Sequence, residues 1–272
     1  MTLPVILPSA LLAANVGEDL SNALFRWIHI VAGVIWIGHL YFFNFVNAEL
    51  AKTYDADSKR KVVPELMPRA LFWFRWGAAY TWITGVLMLA IVYWHQPFFS
   101  KSGSTDIVPA LVAFAIIAVG FVVYDVLAKA TAKQPILGVC LFEAVVLGYV
   151  LLLSCCEYFG ASNRAAYIHA GGMLGTAMAA NVWMRIWPCQ KRIITAIKAG
   201  QAPNPADAAL AGLRSKHNTF FSVPLLFLML SVHEAFIGIT IGEPWHWVLA
   251  LFVVGTIATN WLYGVSTKVK GF

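Results

Sequence analysis

The run Arg26 to Asn47, RWIHIVAGVIWIGHLYFFNFVN, is apolar for long enough to cross a bilayer, yet it carries two histidines, His29 and His39. Roughly 20 mostly apolar residues make a transmembrane helix, and inside lipid only a helix or a closed barrel satisfies every backbone polar group. An ionisable side chain in such a span is first a functional candidate. On a 3.6-residue period His29, Gly33, Trp36, Leu40 and Phe43 share one face, whereas His39 lies about 80° around the helix and roughly 15 Å further along. Gly33 withholds a side chain one turn from His29. That is the local pattern of a helix presenting an axial histidine to a porphyrin, and the same spacing serves plain helix packing.

Six further apolar runs follow. The chain therefore reads as an all-α polytopic integral membrane helix bundle of about seven transmembrane helices, at about 24–46, 70–94, 107–128, 135–156, 165–187, 218–240 and 246–266. Charged residues make up 12% and mean hydropathy is +0.73, where a soluble domain carries about 25% charged residues. The whole of 1–272 forms one membrane domain: an N-terminal segment 1–23, a bundle 24–266, and two longer cytoplasmic loops, 48–68 and 188–216. Met1 to Val16 lacks the basic start of a cleavable signal and is expected to be retained along the interface. A Pro and Asn turn in the second loop predicts a short helix over Pro205–Leu213.

With the N-terminus outside, all 19 Lys and Arg residues except Arg26, Lys101 and Arg164 fall on one side. The positive-inside rule then puts the C-terminus in the cytoplasm. Insertion topology accounts for the net charge of +6, which excludes nucleic acid as a partner and leaves membrane lipid. Spans one to three and five to seven run in the same sense. Both triplets open on Ile-His, at Ile28–His29 and Ile168–His169, and their second spans end near His95 and His233, hinting at a duplicated three-helix unit.

In this topology His29, His169 and His233 lie at similar depth near the outer face, with His95 and His246 at the boundary. Histidines on different helices at one level can ligate iron from both sides, which makes these three the candidate cofactor and metal ligands and haem b the expected cofactor. Gly172, Thr176 and Ala180 run beside His169 and would clear room for the ring. Taken singly, each histidine reads first as a hydrogen-bonded structural residue, and only three at one depth bring the cofactor reading level with that one. Met173, Met178, Met184 and Met229 make copper the alternative metal.

The inner half carries Glu143, with His39 at comparable depth. A carboxylate there is costly unless paired, neutral or wetted, so Glu143 is expected to pair with His39 or with Arg75. Such a set passes protons, lines a pocket for a small anion, or clamps helices together. Asn181, Arg185 and Gln190, with His217 and Asn218, add donors near the cytoplasmic interface. Cys140, Cys155, Cys156 and Cys189 form neither CxxC nor CxxCH and read as buried thiols. There is no HExxH, no glycine-rich phosphate loop and no Ser-His-Asp arrangement.

Three stretches carry a resemblance: RWIHIVAGVIWIGHLYFFNFVN, IHAGGMLGTAMAANVWMRIWPCQKR and SKHNTFFSVPLLFLMLSVH. Together, from about Phe25 to the seventh span, they resemble the N-terminal membrane domain of the bacterial cytochrome c-linked urate oxidases, or membrane urate hydroxylases. The resemblance implies oxidation of urate, a purine, with electrons passed to cytochrome c, in the bacterial inner membrane. It marks His29, His169, His217 and His233 as motif positions. The chain stops at Phe272 without a CxxCH, so a separate cytochrome c or respiratory-complex subunit is the expected acceptor.

The sequence thus supports a haem-containing membrane oxidoreductase or electron-transfer protein, with His39, Glu143, Arg75 and His217 as candidate catalytic residues. The alternative is a non-catalytic membrane subunit that anchors a larger respiratory complex. A copper or haem transporter is a third reading.

Overall fold

The computed structural model describes residues 9–94, 98–231 and 243–269. Among them every extended element is helical, and the one β-contact is an isolated bridge between Ser100 and Ala161. The helices are α1 Ser9–Tyr41, α2 Ala48–Leu50, α3 Ala56–Leu89, α4 Val108–Ala130, α5 Pro135–Cys155, α6 Asn163–Asn181, α7 Trp187–Lys198, α8 Pro205–Leu230 and α9 Pro244–Ser266. Three π-helical stretches, Phe42–Asn47, Ala90–Trp94 and Val182–Ile186, prolong α1, α3 and α6. Through the last of these, α6 and α7 form one rod.

Local chemistry sets the helix starts. Asp55 accepts a hydrogen bond from Ser58 N at 2.6 Å, Ser162 from Ala165 N at 3.2 Å and Asn204 from Ala206 N at 2.9 Å, each satisfying an otherwise orphaned amide. Pro135, Pro205 and Pro244 open their helices, where the missing N–H is not needed. Gly200, at φ +71°, turns the chain out of α7.

These caps correct the expected loops. The 48–68 loop is helix through Thr53 and again from Ala56, leaving Tyr54 and Asp55 as the connector. The 188–216 loop is α7 and the first half of α8, joined by residues 199–204. The short helix expected over Pro205–Leu213 continues unbroken into the sixth apolar run. Nor are residues 9–23 a separate segment, because α1 runs without a break from Ser9. A polar, amphipathic stretch resembles a loop in sequence, although a helix leaving the bilayer needs no apolar face on every side.

Among the described residues, five helical runs are long and apolar enough to cross a membrane: Asp19–Thr53, Ala56–Trp94, Val108–Ala130, Pro135–Cys155 and Pro244–Ser266. The other two long rods, α6–α7 and α8, are more polar and sit inside. Fully buried Asn181, Arg214, His217, Asn218, Thr219 and Ser222 all lie on them. The bundle's outer surface is apolar, with Trp27, Trp73, Val122, Ile257 and Trp261 exposed. Cys140 and Cys155 are also exposed on this surface, contrary to the expectation of buried thiols.

The α1–α3 contact depends on Gly77. A Cβ there would stand 3.0 Å from Trp36 N and 3.1 Å from Ala32 O, both backbone atoms that cannot yield. Gly38 on α1 has open space instead. Gly77→Val is therefore expected to destabilise the detergent-solubilised protein by about 1–3 kcal/mol, read as a lower thermal midpoint, while Gly38→Ala leaves the midpoint unchanged.

Candidate functional site

Where α4, α6 and α8 meet, a polar cluster is sealed from the surroundings. Tyr124 is its centre and is fully buried, as are Asn181, Arg214, His217 and Asn218. Asn181 Nδ2 donates to Tyr124 Oη at 2.8 Å and to Asn218 Oδ1 at 2.8 Å, and Asn218 Nδ2 donates to the Met178 carbonyl at 3.0 Å. Tyr124 Oη lies 3.0 Å from His217 Nδ1. Because the hydroxyl oxygen already accepts from Asn181, its proton is the one left to donate to Nδ1. The neutral imidazole then carries its own proton on Nε2. That atom is buried and has no hydrogen-bond partner among the described residues. Asn181 Oδ1 and the Nε and Nη1 atoms of Arg214 are also buried without partners.

Below Tyr124, one carboxylate joins three helical elements. Asp125 accepts from Arg185 Nε at 2.9 Å and Nη2 at 2.8 Å, a fork of two parallel bonds, and from Arg214 Nη2 at 2.8 Å. Lys129 Nζ, one turn along α4, stands 2.7 Å from the same group. The Arg214 guanidinium lies 5.1 Å from the centre of the Tyr124 ring. The π-helical stretch Val182–Ile186 carries Arg185 to this site directly after Asn181. Such insertions recur at functional sites because they redirect side chains within an otherwise regular helix.

The N-terminal turn of α5 closes the cluster. A Cβ on Gly138 would come 3.2 Å from His217 Cε1 and would collide with the Thr131 hydroxyl. Beyond the fifth and sixth apolar runs, Arg192 Nε donates to Asp207 Oδ2 at 2.9 Å and pins α7 to the start of α8. This bond holds the Asp207 carboxyl below the usual carboxylate range. Its stabilisation is therefore present above the unfolded carboxylate's titration and is lost as pH falls through the lowered folded value. Amide exchange in 199–206 should accelerate in acid more in the wild type than in Asp207→Asn, which lacks the titrating group.

The sequence-derived candidates separate. His29 Nδ1 lies 3.1 Å from Thr84 Oγ1, whose proton is directed to the Tyr80 carbonyl at 2.6 Å, so His29 donates from Nδ1. His169 is fully buried, with Nδ1 donating to the Ala165 carbonyl at 2.8 Å and its ring between Tyr93 and Phe99. His169 Nε2 has no partner among the described residues. Both histidines thus hold the tautomer with an Nε2 lone pair that a metal or haem requires. They share no partner among the described residues, and His95 and His233 lie outside those residues.

The space expected beside His169 is filled. A Cβ on Gly172 would meet Ile117 and Leu89, and Thr176 accepts from Trp82 Nε1 at 3.1 Å. Glu143, 5% exposed, pairs with neither His39 nor Arg75. Its Oε2 is 3.4 Å from Thr256 Oγ1 on α9, and Oε1 has no partner. His39 is held by its own helix, 2.7 Å from the Ile35 carbonyl. Arg75 lies 4.1 Å over the Trp187 ring, a cation–π contact at the other side of the bundle's polar rods. Helix rotation, which apolar periodicity does not fix to better than a residue, turned these three groups apart. His217, by contrast, sits at the centre of the polar cluster.

Sequence reasoning missed Tyr124, Asp125 and Arg214. An aspartate in the 23-residue α4, whose other residues are apolar apart from Tyr124 and Lys129 near its end, was the available signal. Arg214 was hidden by its placement in an expected loop. Asp125→Asn should destabilise the protein by about 3–5 kcal/mol, because it leaves buried Arg214 without its counter-charge. Thermal unfolding in detergent would show it, and Lys129→Gln should cost far less.

The fold and this interior define a helical membrane protein with a sealed polar centre beneath an apolar shell. Residues 54–270 match the family described as urate oxidase N-terminal. The chain belongs to that family, in agreement with the resemblance carried by its fifth and sixth apolar runs; the first run lies before the matched residues. No curated protein and no solved structure matches the chain.

Proposed function

We propose that the protein is a bacterial inner-membrane oxidoreductase that takes electrons from urate or another small reductant and delivers them to a separate cytochrome c or respiratory partner. The observation that carries this reading is the family match over residues 54–270. Five apolar rods with α6–α7 and α8 inside them make seven spans. The distribution of Lys and Arg orients the N-terminus outward.

His169 and His29 each hold the donor tautomer that a b-type haem iron requires, with His233 as a further ligand; a haem on His169 would displace Ile117, Leu89 and Trp82 from beside it. A haem so held would supply one-electron transfer. The residues of the chain then have separate tasks. His217, set in one tautomer by Tyr124, is the acid–base group of the polar centre. Glu143, with one oxygen unpartnered within a transmembrane rod, takes up protons released in the oxidation. His39 and Arg75 have positioning roles, His39 bonded through Nδ1 to its own helix and Arg75 lying over an indole ring with its buried Nε unpartnered among the described residues.

A second reading is favoured by one feature. Trp27, Phe72, Trp73, Trp76 and Tyr80 line an open apolar groove of about 530 Å³ between α1 and α3. It suits a membrane subunit packed against a partner's helix.

Reduced-minus-oxidised spectra of the purified chain separate the two. The redox reading expects a Soret band that responds to urate, is lost in His169→Ala and is retained in His246→Ala, since His246 is exposed and lies tilted against Trp245. A chain without any band supports the anchoring reading.

A further inference from the structure

We infer that the cluster around Tyr124 is a binding site for a planar oxopurine monoanion, with Arg214 and His217 as its donors and Asn181 as its acceptor. The identity of the anion rests on the proposed urate oxidation; the anion site itself rests on geometry. Three cations, Lys129, Arg185 and Arg214, surround the single carboxylate of Asp125, a surplus of two positive charges. Their side-chain exposure falls from 63% for Lys129 to 30% for Arg185 and 0% for Arg214, a ladder leading inward. Cations arranged in this way draw an anion from the surface towards a dry interior.

At the inner end the unpartnered atoms are complementary in kind. Arg214 Nε and Nη1 and the His217 Nε2 proton are donors, whereas Asn181 Oδ1 is an acceptor. A halide offers no donor for Asn181, and a hydrogenphosphate offers one hydroxyl but no planar edge that pairs donors and acceptor together. A ring that carries carbonyl oxygens beside N–H groups satisfies both, and its negative charge offsets the surplus around Asp125. Leaving four such atoms unpaired is costly, so a ligand that pairs them gains that difference on binding.

Calorimetric titration of urate into the full chain in detergent, without any electron acceptor, tests this independently of turnover. Urate should bind, and inorganic phosphate should not compete. Arg214→Lys, which keeps the charge beside Asp125 but loses the planar fork, should weaken binding about 10- to 100-fold. Tyr124→Phe, which preserves packing but releases the His217 tautomer, should weaken it about tenfold; it serves as the second probe should Arg214→Lys fail to fold. Lys191→Gln, a basic residue at the exposed surface of α7, should bind as the wild type does. Unchanged urate affinity in Tyr124→Phe and Arg214→Lys would overturn the site while leaving urate as a ligand elsewhere. No urate binding by the wild type would overturn both the site and the substrate reading, and competition by phosphate would replace the purine with a simple anion.

Discussion

The Asp125 carboxylate holds the interior together. It is a single negative charge on α4 to which α6–α7 and α8 each bring an arginine, and neither helix could bury that arginine alone. In a low-dielectric interior an isolated guanidinium is far less stable than in water, whereas a forked pair with a shared carboxylate satisfies charge and geometry at once. Position follows from this pairing. Once Arg214 is fixed against Asp125, the next turn of α8 sets His217 beside Tyr124 and Asn218 beside Asn181.

The rest of the bundle makes that interior possible by surrounding it. The five apolar rods present Val, Leu, Ile and Trp outward, and α6–α7 and α8 bury one face against the other helices, where they carry amides, hydroxyls and an imidazole, while Met184, Leu226 and Leu230 face outward. Small residues set the distances between rods, as at Gly77, where α3 touches the backbone of α1. The π-helical stretches adjust the remaining rotation. One brings Arg185 round to Asp125; another brings Asn44 between Ser215, at 2.8 Å, and the Tyr263 hydroxyl, at 3.0 Å, linking the end of α1 to α8 and α9.

The histidines show how far a pattern can be followed. His169 was singled out by its depth and by the small residues beside it, and it is buried with a free Nε2. Those small residues, however, receive Ile117, Leu89 and Trp82. Glu143 stood out as a carboxylate in an apolar run, yet its partner is Thr256 rather than His39 or Arg75. In each case the unusual residue was legible, since burying it carries a large cost. Its neighbour was not, because a rotation of one residue, about 100°, exchanges one partner for another at nearly equal hydrophobic burial.

By itself the sequence determined that this chain is a helical membrane protein of the urate oxidase N-terminal family, since long apolar runs admit no other backbone and the motif stretches lie in contiguous segments. Tertiary structure alone decided that Tyr124, Asp125 and Arg214 share one sealed centre. The physical reason is range. Backbone satisfaction in lipid acts within a segment, whereas ion pairing and close packing join residues such as Asp125 and Arg214 that are 89 positions apart and meet only when the rods assemble.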